Sequence, residues 1–142
     1  MSERNKQVAV QFVEAMGQND PERAAETLAP DALAIAMGTT NFAGKRNRDM
    51  IVGGIEEFKH LLPEGLQFTI TSVTGEGDRV AVEALGNGTT SQGSQYHNNY
   101  VFIITLRDGL IVEAKEYFCT KLADEVLWPI VAGAGNLGHT LD

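Results

Sequence analysis

Apolar positions recur at helical spacing through the first part of the chain and at strand spacing through most of the rest. Val8, Phe12, Ala15 and Met16 fall on one face of a helix that Ser2 can cap and Gly17 can end. Asp20-Pro21 supplies a capping acid and a first-turn proline for a second helix, and Pro30 closes it. Leu33, Ile35 and Met37 alternate with Ala34 and Ala36, predicting a short strand that leads into a loop over 38–44. Ile51, Ile55, Phe58 and Leu62 repeat at i, i+4, i+7 and i+11, predicting a third helix that Pro63-Glu64-Gly65 ends. From there the period falls to two. Four β-branched and aromatic runs, 66–74, 79–85, 96–106 and 110–120, are separated by Gly75-Glu76-Gly77-Asp78, Ser91-Gln92-Gly93 and Asp108-Gly109, all good hairpin turns. Short turns join antiparallel neighbours. The pattern therefore reads as an α+β fold, with N-terminal helices packed against an antiparallel sheet.

At 142 residues the chain has the length of one domain, read here as residues 1–128 with a Gly-rich tail over 129–142. Its 43% hydrophobic content is enough to bury a core, which excludes a disordered chain. A net charge of -8 repels phosphate backbones and argues against nucleic acid as a partner. The one basic cluster, Lys45, Arg46 and Arg48, reads as the solvated start of a helix. A single cysteine, Cys119, rules out an internal disulfide framework and points to a reducing compartment. The first residues carry no apolar run of the secretory kind, and no segment has the 18 apolar residues a membrane span needs. A cytoplasmic protein with no membrane partner is expected.

Candidate chemistry comes from the strand faces. Leu110, Val112, Ala114, Glu116 and Phe118 share one face of the last strand. The other face holds Glu113, Lys115 and Tyr117, so Glu116 is expected to point inward between Ala114 and Phe118. An inward carboxylate in apolar surroundings is costly unless neutralised, hydrogen-bonded or opened to a pocket, and desolvation raises its pKa towards the useful acid–base range. A structural glutamate bonded to backbone or tyrosine hydroxyls is the equal alternative. On the preceding strand, Tyr96, Asn98, Tyr100, Phe102 and Ile104 share a face, which sets Asn98 and Tyr100 beside Glu116. Glu83 can point into the same space with Ala81 and Leu85. Acids, an amide and a phenol converging on a cavity can move protons and stabilise an oxyanion. Phe118, Ala114, Leu85 and Phe102 would form the apolar wall.

The stretches Gly77-Asp78-Arg79-Val80-Ala81-Val82-Glu83, Tyr96-His97-Asn98-Asn99-Tyr100-Val101-Phe102 and Arg107-Asp108-Gly109-Leu110-Ile111-Val112-Glu113-Ala114-Lys115-Glu116-Tyr117-Phe118 resemble SnoaL-like proteins over roughly residues 5–126. That family lies in the nuclear transport factor 2-like superfamily, with ketosteroid isomerases, limonene epoxide hydrolases and polyketide cyclases. The resemblance implies a conical pocket between a curved sheet and the N-terminal helices, usually in a homodimer. It also implies that Glu116 stands where epoxide hydrolases and polyketide cyclases carry a catalytic aspartate. Glu83 stands where the epoxide hydrolases carry an arginine, Leu85 where they carry their other aspartate, and Ala36 near the proton-shuttling aspartate of ketosteroid isomerases. Both of those activities are therefore disfavoured. Many relatives end the strand with Tyr-Phe-Asp; here Cys119 takes the last place.

Other signals add little. Gly133-Ala134-Gly135-Asn136-Leu137-Gly138 has the spacing of a dinucleotide fingerprint but not its strand and helix context. His60, His97 and His139 are scattered, with no carboxylate or thiol at metal-ligand spacing. Cys119 reads as a packed thiol, and Trp128 as a pocket wall or an anchor for the tail. The expected function is acid–base chemistry on a small hydrophobic molecule by Glu116, Glu83, Tyr100 and Asn98, as isomerisation, aldol-type cyclisation or hydration. None of these needs a metal or cofactor. The alternative is a binding or accessory module that uses the same pocket or its dimer surface.

Overall fold

A computed structural model describes residues 2–132 and 139–141. The glycine-rich run at 133–138 lies outside the described residues. The chain folds as α1 (Ser2–Gly17), α2 (Pro21–Ala25), β1 (Leu28–Ala36), β2 (Gly44–Asn47), α3 (Arg48–Glu57) with a 3-10 turn Phe58–His60, then β3 (Gln67–Glu76), β4 (Arg79–Thr89), β5 (Gln95–Arg107), β6 (Leu110–Phe118), α4 (Thr120–Val126) and α5 (Trp128–Val131). One curved sheet runs in the order β2-β1-β6-β5-β4-β3. The expected meander is β3 to β6, every neighbour antiparallel. The first strand departs from that expectation: β1 lies parallel to β6 and antiparallel to β2.

The local signals mostly do what their chemistry requires. Asp20 caps α2, its side chain accepting from the Arg23 amide at 3.1 Å. Asn47 caps α3 by accepting from the Met50 amide at 3.0 Å. Pro30 does not end a helix. It sits within β1, where the register slips between Leu28 and Leu33 and a missing N–H is tolerated. At the β5–β6 hairpin Asp108 and Gly109 both take positive φ, 53° and 80°, as a tight two-residue turn demands.

The concave face of the sheet holds the core. Tyr96, Asn98, Tyr100, Phe102, Ile104 and Leu106 are all buried along β5, and Val80, Val82 and Ala84 along β4. Phe12 and Val13 of α1 and Ile51 and Ile55 of α3 cover them. The core continues past residue 128, since Leu127 and Val131 are buried in it. Beyond α5, the Leu141 amide donates to the Lys45 carbonyl at 2.8 Å, along the outer edge of β2. A Cβ on Gly44 would meet the Thr140 side chain at 2.8 Å, so only glycine admits this approach. Among the described residues no helix is long and apolar enough to cross a membrane.

Two bulges break the simple alternation. On β3 the pairing with β4 skips a residue at Thr71, between Ile70 and Ser72. On β6 it skips at Val112: Thr105 pairs with Glu113, but Leu106 pairs with Ile111. Val112 is therefore the extra residue. Leu110 and Val112 do not join Ala114 on the core face, as strict alternation had it; Ile111 does, and it is fully buried. Ile111→Ala should cost about 2–5 kcal/mol and Val112→Ala clearly less, by urea unfolding. Equal costs would mean that the bulge is misplaced.

Candidate functional site

Between the concave sheet and the helices lies a cavity of about 150 Å3, partly open to solvent. Its floor is made by the small residues Ala34, Ala36 and Ala114, flanked by Arg46, Glu116, Phe118, Tyr96 and Tyr100. Phe12 and Met16 of α1, Met50, Ile51 and Ile55 of α3, and Phe58 form the opposite wall. Phe42, Ala123 and Leu127 close one side. Behind Phe42, Trp128 packs edge-on with ring centroids 5.2 Å apart, so Trp128 supports the wall rather than lining it. The loop carrying Phe42 is tied to α4 by Asp124, which accepts from the Thr40 hydroxyl at 2.6 Å and the Asn41 amide at 3.0 Å.

Strand register explains how two charges reach this apolar space. Ala34 of β1 pairs with Arg46 on one side and Ala114 on the other; two residues along, Ala36 pairs with Gly44 and Glu116. Arg46 and Glu116 thus stand two strands apart and two residues out of step on the same face, with alanines between them. Glu116 lines the cavity and is only partly exposed. Burial pushes its carboxyl pKa above the ordinary value, and the Arg46 charge only partly offsets this. The same burial lowers the Arg46 pKa, opposed by Glu116. The two are not in ion-pair contact, which would need 4.0 Å or less. The guanidinium Nη2 donates to the Phe42 carbonyl at 3.1 Å.

A hydrogen-bonded chain occupies the other end. Asn98 Oδ1 accepts from the Cys119 amide at 3.0 Å and the Asn99 amide at 2.8 Å, which fixes which end of the side-chain amide is oxygen. Its Nδ2 donates to the Cys119 carbonyl at 3.0 Å and to the Tyr96 hydroxyl at 2.7 Å. The Tyr96 and Tyr100 hydroxyls are 2.7 Å apart. Because Asn98 supplies one donor and the two phenols share one bond, one phenolic proton remains. Both tyrosines line the cavity. Burial pushes the pKa of both phenols up, Tyr100 the more strongly, which keeps them protonated.

The structure sorts the expected site residues. Glu116, Tyr100, Phe118 and Ala114 meet at the cavity. Asn98 does not reach it: all four of its hydrogen-bonding positions are used inside the protein, and it orients Tyr96 and the end of β6. Phe102 lies beneath, fully buried and stacked parallel to Tyr100 with centroids 5.7 Å apart. Glu83 and Leu85 are on the wrong face. The β-branched pair Val80 and Val82 takes the inward positions of β4, which turns Ala81, Glu83 and Leu85 to the convex side, where Leu85 is 43% exposed. Arg46 and Tyr96 were not anticipated as site residues. Arg46 sits on β2 rather than in a helix start, where Gly44 and Arg46 are half-buried and Lys45 and Asn47 exposed. Among the described residues no three His, Cys, Asp or Glu side chains converge as a metal site would.

A profile of the SnoaL-like domain matches residues 9–114, most of the chain, and the protein belongs to that family. No curated protein matches it in sequence. Solved structures share the fold at low identity. A candidate isomerase from Bacillus subtilis superposes with a TM-score of 0.76 at 21% identity, covering 99% of this chain and 97% of its own. A candidate SnoaL-like polyketide cyclase from Jannaschia sp. CCS1 gives 0.74 at 18% identity, covering 89% and 92%. A protein from Catenulispora acidiphila with a ketosteroid isomerase-like fold, in complex with trimethylamine, gives 0.73 at 16% identity, covering 86% and 92%.

The raised Glu116 pKa has a signed consequence. The folded protein holds this proton more tightly than the unfolded chain, so the stabilisation is complete below about pH 4.5 and is lost as pH rises through the folded value. Glu116→Gln has no such loss. Thermal unfolding across pH should show the variant gaining on the parent as pH rises from 4.5 and then levelling off. A constant difference would show that Glu116 titrates as an exposed glutamate.

Proposed function

We propose that this protein performs cofactor-independent acid–base chemistry on a small, mostly apolar molecule bearing a carbonyl-type oxygen. The observation that carries this reading is a carboxyl, Glu116, and a tyrosine pair with one unassigned phenolic proton lining the same largely apolar cavity. Ionised, Glu116 can take a proton from a carbon beside the carbonyl. The phenolic O–H of the Tyr96–Tyr100 pair donates to the carbonyl oxygen as negative charge gathers there, a donor preorganised by Asn98. Returning the proton to another carbon gives isomerisation; attack of the enolate on a second carbonyl gives aldol-type cyclisation. Relatives described as an isomerase and a polyketide cyclase support this range of reactions.

Deuterium uptake at carbon, followed by NMR in D2O on 1,3-diketone and cyclic ketone probes, tests the proton-transfer step. The parent protein should accelerate exchange, and Glu116→Gln should lose about 100-fold or more of that acceleration. Exchange undiminished in a folded Glu116→Gln protein would remove Glu116 from the chemistry and leave a binding role for the cavity.

We also infer that a second copy covers the convex face. Leu85 and Tyr117 are 43% and 41% exposed there, with Val101 and Ile103 between them part-buried, and a face this apolar is seldom left to water. Light scattering at micromolar concentration should give twice the 15.4 kDa of one chain. Leu85→Lys should return the monomer mass; a monomeric parent would overturn the inference.

A further inference from the structure

The cavity is apolar on nearly every side, yet it contains a guanidinium, and nothing in the proton-transfer scheme requires one. Arg46 carries five N–H donors. Among the described residues its side chain makes one hydrogen bond, to the Phe42 carbonyl. Asn98, by contrast, has all its capacity used. Lys45 and Arg48 do not share the position: Lys45 is exposed, and Arg48 donates to the Ala25 carbonyl at 3.1 Å. The acid facing Arg46 is Glu116, which is out of ion-pair contact, and its charge only partly offsets the cost of burying the guanidinium. A part-buried cation with a single protein hydrogen bond, on the wall of a largely apolar cavity, is costly unless something else neutralises it.

We propose that the molecule this cavity accepts carries a carboxylate, held by Arg46, at one end of a compact apolar body. This rests on the reading of the cavity as a ligand site and narrows it to a substrate class. The planar fork of a guanidinium matches a carboxylate in two-pronged fashion. With the carboxylate at Arg46, the body of the molecule lies over the alanine floor of Ala34, Ala36 and Ala114. Its far end then reaches Glu116 and the tyrosine hydroxyls. Space limits its size: a water needs about 10–15 Å3 on the scale that gives this cavity about 150 Å3, so there is room for on the order of ten non-hydrogen atoms. A monocyclic or short branched acid fits within it, and a larger body would extend through the open side.

The test uses matched probes that differ in charge alone: benzoate against benzamide, and cinnamate against cinnamamide, titrated by calorimetry or ligand-observed NMR. The parent protein should bind each carboxylate at least tenfold more tightly than its amide. Arg46→Met, which keeps much of the side-chain bulk, should erase that preference while leaving amide affinity within a few-fold. Arg46→Lys, which keeps charge but not the fork, should retain part of it and guards against a folding defect in the first variant. Glu116→Gln should keep the preference, which separates this inference from the catalytic one. If Glu116→Gln abolishes proton exchange while the carboxylate preference is missing, the catalytic reading stands and this one falls. Equal binding of acid and amide, a preference unchanged in Arg46→Met, or no carboxylate bound at millimolar concentration would each overturn it.

Discussion

The pairing of β5 with both of its neighbours is the constraint on which the rest of the molecule depends. This strand runs Gln95–Arg107, pairs with β4 from Gln95 to Thr105 and with β6 from Tyr100 onward, and has an inner face buried from Tyr96 to Leu106. Its register with β6 sets Phe102 opposite Glu116 and Tyr100 opposite Phe118. Because β6 in turn pairs with β1, and β1 with β2, the same register decides where Arg46 stands. The hydrophobic burial that fixes β5 thus places Glu116 and, through β6 and β1, Arg46 over its inner face, while the registers of β1 with β6 and β2 set the separation between the two charges.

The polar groups divide by whether their hydrogen-bonding capacity is spent. Asn98 is fully engaged and acts as part of the frame. The phenols are one proton short of that state, Arg46 is far from it, and Glu116 stands in a setting that favours its neutral form. Chemistry can occur only where capacity remains. That criterion, rather than residue type, separates the groups able to act on a ligand from those that hold them.

Much of this was legible in the sequence. The inward face of β5 and the inward direction of Glu116 follow from a period of two in long, strongly apolar strands. What was not legible has physical causes. Strict alternation cannot foresee the extra residue at Val112, so Leu110 and Val112 were set on the core face in place of Ile111. Glu83 was assigned inward with Ala81 and Leu85, but both valines of β4 prefer burial, and a strand has only two faces. Arg46 lies on a four-residue strand, too short to establish a period, beside two other cations that make it look like a solvated cluster. Asn98 faces inward as expected, but sequence cannot show that the backbone of Cys119, 21 residues away, would take up its amide.

The bulge at Thr71 bears on how this protein behaves when concentrated. An open sheet presents unpaired backbone at its borders, and such borders invite growth by strand addition between molecules. Here the β2 border is partly occupied by the chain's own Leu141, leaving β3 as the more open one. The extra residue at Thr71 interrupts the regular spacing of N–H and C=O groups midway along that strand, and the Thr71 hydroxyl turns back to the Glu83 carbonyl. A neighbouring molecule therefore meets a border that is out of step with itself. Straightening it by deleting Thr71 would offer a continuous template for fibrillar assembly.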